Sequence, residues 1–137
     1  ETTRPIREGT LGVWDTTGLS GLYALQLQVI RLDQRVETAL IQVTVDNQPP
    51  ELALLSPAAG AGYTLSEQPA IILIASASDN LELDRVTFYI GGQEVASFAA
   101  PPYALAWAPR LGEHTWRVVA SDLAGNQSEQ TIQFSVK

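Results

Sequence analysis

Two aspartates and one histidine carry most of the chemistry that this chain can offer. Asp79 closes the apolar stretch "AIILIASASD", and Asp122 closes "RVVASD". Each stands in phase with inward apolar residues: Leu73, Ala75 and Ala77 before Asp79; Trp116, Val118 and Ala120 before Asp122. Two carboxylates brought to one end of a fold could hold a hard cation such as calcium, together with loop carbonyls. The same carboxylates could instead accept N–H groups of their own turns. The second reading has more behind it. Calcium takes six or more oxygens, and only two charged ones can be named. The turn "LAGN" after Asp122 also contains Gly125-Asn126, residues suited to positive φ. No metal or other cofactor is therefore expected, with Asp79 and Asp122 as the only candidates.

Catalytic sets are hard to assemble from the remainder. There is no cysteine, and His114 is the single histidine. A multi-histidine metal site within the chain is excluded, and any nucleophile would depend on His114. Ser56, Ser66 and Ser76 lack a glycine elbow, and His114 alternates with Trp116 as a packed or edge residue would. The glycine pairs Gly9/Gly12 and Gly60/Gly62 precede no helix and do not read as phosphate cradles. Tyr63, Tyr89 and Tyr103 are the tyrosines to consider for a glycan. Tyr103 shares a strand face with Trp107 and reads as core, which leaves Tyr89 turned outward. No catalytic residue is assigned.

The elements that would position these groups are strands. Apolar residues alternate with period two in "YALQLQV" (23–29), "LIQVTV" (40–45), "VTFYI" (86–90) and "IQFSV" (132–136). No stretch sustains a helical period, and Gly, Pro, Asn and Asp punctuate the chain at short intervals. The expected core of the second part contains Ile71, Leu73, Ala75, Val86, Phe88, Trp107, Trp116, Val118, Ile132 and Phe134, in seven antiparallel strands.

The chain also matches itself. Displaced by 91 residues, "LYALQLQVIRLDQRVETALIQVTV" (22–45) lies over "EHTWRVVASDLAGNQSEQTIQFSV" (113–136) without a gap. Identities are few, but the alternation coincides, and Trp14 falls two places from the position matching Trp107. Asp122 falls on Arg31, so the repeat does not demand an acid there. Residues 1–48 then form the last strands of one unit, Pro49-Pro50 a stiff linker, and residues 51–137 a complete unit.

The set "LSPAAG", "ASASD", "VTFYIGG", "PPYALAW" and "ASDLAGN" resembles bacterial immunoglobulin-like domains of the cell envelope. Residues 1–48 resemble the end of a related module. Such modules are appended in tandem to bifunctional penicillin-binding proteins, the peptidoglycan glycosyltransferase/transpeptidases. The resemblance implies an all-β, immunoglobulin-like antiparallel β-sandwich preceded by the C-terminal strands of a second such unit. It also implies a non-catalytic accessory or spacer module outside the bacterial cytoplasm. The alternative is a module that binds peptidoglycan or another polysaccharide. The chain carries no transpeptidase motif: its only lysine is Lys137.

Charge and composition bound the partners. Fifteen acids against eight basic residues give −7, which argues against a nucleic-acid surface. No apolar run reaches membrane-spanning length. The absence of Met, with Glu1 first, reads as a processed or excised piece. Expected partners are other domains of a parent protein, cell-wall glycan, and a second copy of the chain joined through residues 23–45, whose apolar face lacks a covering sheet.

Overall fold

The computed structural model describes residues 9–137, in which the chain divides at Asn47/Gln48 into two compact units. Unit 1 contains β1 (Gly21–Ile30) and β2 (Val36–Val45), an antiparallel pair registered from Gly21 opposite Val45 to Ile30 opposite Val36. A turn joins them through Arg31 N–H to Arg35 C=O (2.9 Å) and Gln34 N–H to Arg31 C=O (2.9 Å). Gln34 holds a φ of 64°, the left-handed region. Exposed Arg31 and Glu37 pair across its base at 2.7 Å.

Unit 2 is a sandwich. Its strands are β3 (Glu51–Ser56), β4 (Gly62–Tyr63), β5 (Ile71–Ser78), β6 (Leu83–Ile90), β7 (Gln93–Phe98), β8 (Ala104–Trp107), β9 (Gly112–Asp122) and β10 (Gln127–Val136). One sheet runs β4-β10-β9-β6-β7 and the other β3-β5-β8. The seven-strand, wholly antiparallel expectation needs correction. There is an eighth strand, β4, and it pairs parallel with β10 through Gly62 and Tyr63. Two residues flanked by loop are too short to show a period in sequence, so alternation could not reveal it.

Period-two alternation places the core as the sequence predicts. Ile71, Leu73 and Ala75 from β5 meet Val86 and Phe88 from β6, with Trp116, Val118 and Ala120 from β9. Phe134 and Val136 of β10 and Tyr103 before β8 complete the buried set. Trp107 and Ile132, expected inside, pack at the margin and are only partly buried. Trp107 is the last residue of β8, and Ile132 lies on a stretch of β10 that β4 does not reach. Trp116 is fully buried with Phe88 edge-on at 5.3 Å, and Phe88 meets Phe98 at 5.1 Å. Edge-to-face rings add a directional term to the area that they bury.

Candidate functional site

The two aspartates arrive at one end of unit 2 by different routes. β5 finishes at Ser78 and β9 finishes at Asp122, and carboxylate oxygens of Asp79 and Asp122 lie within 4.8 Å of each other. Each is engaged with its own loop. Asp79 Oδ2 accepts N–H bonds from Leu81 (3.0 Å) and Glu82 (3.1 Å). Asp122 Oδ1 accepts the Asn126 N–H (2.8 Å), and Oδ2 accepts the Asn126 side-chain amide (2.7 Å). The backbone of the same turn closes through Asp122 N–H to Asn126 C=O (3.1 Å) and Gly125 N–H to Asp122 C=O (3.3 Å), with Gly125 at a φ of 95°.

Asp122 is 3% exposed. Its burial raises the carboxyl pKa, but hydrogen bonds from the Asn126 side chain and from the backbone of Asn126, Gly125 and Ala124 outweigh that and hold it below 3.8. The carboxylate is thus kept charged by donors that form its own turn. Asp79 Oδ1 differs: it is buried and has no hydrogen-bond partner among the described residues. A buried carboxylate oxygen without a donor is costly.

Among the described residues, His114 is tied into a packed ring cluster rather than a nucleophilic set. Its Nε2–H donates to the Arg110 carbonyl at 2.6 Å, and its ring stands edge-on to Trp107 at 4.8 Å. Together with Arg110, Gln93 and Glu94 these rings line a groove of about 500 Å3 that contains no serine or threonine. The sequence reading did not find this groove. The signal was available, since Trp107 and His114 flank a short loop at the margin of the core.

The tyrosines do not make an open platform. Tyr103 is core at 7% exposure. Tyr63 stands edge-on to Phe134 at 6.2 Å. Tyr89, turned outward as its phase requires, has the Arg117 guanidinium 4.1 Å above its ring, a cation–π contact that occupies one face. Arg117 also pairs with Glu129 at 2.8 Å.

A five-on-three sandwich with this alternation is of the immunoglobulin type. The chain belongs to the bacterial Ig domain family (Big_7), which matches residues 50–118. The fold is also similar to the fibronectin(III)-like modules of CbhA from Clostridium thermocellum, with a TM-score of 0.58 and 24% identity over 88% of this chain. A second similar structure is SGBP-B of the Bacteroides ovatus mixed-linkage glucan utilization locus, solved with a mixed-linkage heptasaccharide: TM-score 0.50, 15% identity over 66% of this chain. A third, more distant, is a Cellulomonas fimi endo-beta-1,4-mannanase double mutant, with a TM-score of 0.44 and 16% identity over 63% of this chain. The chain spans 64%, 24% and 18% of those three chains. At these identities the first two likenesses establish the fold alone. No curated protein matches the chain.

Proposed function

We propose that this chain is a non-catalytic Ig-like accessory module that spaces or positions a larger extracytoplasmic bacterial envelope protein, and that this parent is a penicillin-binding protein. The observation that supports it best is the use made of Asp122. It is the one buried carboxylate among the described residues, and its oxygens are engaged in fixing the turn between β9 and β10. Arg117 and His114 are likewise tied to neighbours rather than presented together. Membership of the bacterial Ig family adds weight to an envelope setting. The test is deletion of residues 49–137 from the parent gene. Catalytic turnover of the parent should persist within about twofold, while its placement in the envelope changes. Loss of turnover would put catalysis in this module. A fluorescent penicillin that fails to label the parent would remove the penicillin-binding assignment and leave the spacer reading intact.

One observation favours a second reading, binding of a polysaccharide. The groove at Trp107 offers an aromatic ring, a guanidinium, an amide and a carboxylate together, a mixture suited to sugar C–H faces and hydroxyls. Retention of the purified chain on isolated sacculi, lost with Trp107→Ala, would support it. No retention above a control protein would end it.

A further inference from the structure

The hairpin of unit 1 and the last hairpin of unit 2 are the same object at a spacing of 91 residues. All ten β1–β2 pairs have counterparts: Gly21 opposite Val45 matches Gly112 opposite Val136, and Ile30 opposite Val36 matches Ser121 opposite Gln127. The turns match bond for bond. Arg31 N–H to Arg35 C=O corresponds to Asp122 N–H to Asn126 C=O, and the positive φ of Gln34 corresponds to that of Gly125. Even the flanking ring pair recurs. Trp14 stands edge-on to Tyr23 at 5.1 Å and 69°, as Trp107 does to His114 at 4.8 Å and 72°.

Their surroundings differ. In unit 2 the inner face of this hairpin is covered by β3-β5-β8, β9 pairs on its outer edge with β6, and β10 pairs with β4. Trp116, Val118 and Ala120 are completely buried there. Their counterparts Leu25, Leu27 and Val29 are 37%, 44% and 45% exposed. Among the described residues β1 and β2 pair only with each other.

We propose that β1 and β2 are the closing hairpin of a second Ig sandwich, and that their open face and edges receive a complement of Ig-type strands preceding them in the polypeptide. The occupant follows from the period. Shifted back by 91, Glu51 falls about 40 positions ahead of Glu1, and the counterparts of β3, β5 and β6 all fall within that stretch. These strands supply what is missing: an alternating apolar face for Leu25, Leu27, Val29 and Ile41, and an antiparallel partner for β1. A second copy of the hairpin fits less well. Two strands of ten residues, at about 3.4 Å per residue and about 4.8 Å between strands, present a footprint of about 330 Å2. Specific interfaces cover about 800 Å2 per partner.

The experiment compares the 137-residue chain with the same chain extended N-terminally, in its own reading frame, by about 45 residues. Amide hydrogen exchange and light scattering are the readouts. The shorter chain should be a monomer near 14.8 kDa, with β1 and β2 amides exchanging at least about 100-fold faster than those of β9 and β10. The extension should slow β1 and β2 by about 100-fold or more. Leu27→Asp in the extended chain should abolish that gain and leave β9 and β10 protected. Unchanged exchange on extension overturns the proposal. So does a dimer of the shorter chain with a protected hairpin that Leu27→Asp dissolves, since the occupant would then be a second copy. A shorter chain that protects β1 and β2 as a monomer overturns it as well.

Discussion

Two hairpins with one register and one turn geometry differ in how much water reaches them. Trp116, Val118 and Ala120 on β9 are sealed, whereas Leu25, Leu27 and Val29 on β1 are about two-fifths exposed. Backbone pairing is thus set by the hairpin itself, through its alternation and its turn. Burial is set by what stands opposite. A two-stranded ribbon is marginal in water on its own, so the difference between the hairpins measures the joint contribution of the facing sheet and of the flanking strands β6 and β4.

Paired substitutions sharpen or break that contrast, and the largest effect belongs to the core. Trp116→Ala should cost about 3–5 kcal/mol in urea unfolding of unit 2, whereas Leu25→Ala, its counterpart, should cost less than about 1 kcal/mol at its exposed site. Equal losses at the two positions would erase the distinction. Trp116→Phe should cost far less than Trp116→Ala, because the Trp116 Nε1–H has no partner among the described residues and its removal relieves a buried donor.

The turns come next. Asp122→Ala should cost about 2–3 kcal/mol, since it strips charge-assisted bonds from a buried turn. Arg31→Ala, at the matching place with an exposed ion pair, should change stability by less than about 0.5 kcal/mol. The pH dependence separates them further. The Asp122 pKa is lowered on folding, so its contribution is fully present above about pH 4, the ordinary carboxylate value, and is lost as pH falls through the lower folded value. Thermal scans from pH 7 to pH 2 should show a steeper acid loss for the wild type than for Asp122→Asn. A parallel pair of curves would mean that Asp122 contributes nothing through its charge.

A smaller effect has the opposite sign. Gln34 occupies the left-handed backbone position that glycine fills in the matching turn. Gln34→Gly should therefore slow β1 and β2 exchange by about two- to fivefold, equivalent to about 0.5–1 kcal/mol. Faster exchange would show that the side chain matters more than the strain. The smallest expected effect is that of calcium. Melting with chelator and with millimolar calcium should agree within about 1–2 °C, and a rise of several degrees lost on Asp79→Asn would reveal a cation at the aspartate pair.

Much of this architecture could be read before any coordinates. Alternation placed Leu73, Val86, Phe88, Trp116 and Phe134 in the core because one buried face leaves a period of two. The 91-residue match of hydrophobicity pointed to a shared hairpin although only four letters of 24 agree. The limits are equally physical. Gly62-Tyr63 carries too few residues for a pattern, so the parallel edge of unit 2 was invisible. The Arg117 guanidinium over Tyr89 joins residues on β9 and β6, a contact set by cross-strand register that no local window contains. The approach of Asp79 and Asp122 to within 4.8 Å was foreseeable from strand phase and chain direction; the partnerless Oδ1 of Asp79 was not, because it depends on which donors each loop turns inward.

The unbroken 91-residue spacing through strand, turn and strand has a consequence for inheritance. A crossover between the two coding copies anywhere within the hairpin would join residues of equal register and equal face. No strand would slip, and no side chain would change sides. Such exchanges would lengthen or shorten a tandem array by whole sandwiches, so the number of modules in a descendant chain can drift while the shape of each is preserved.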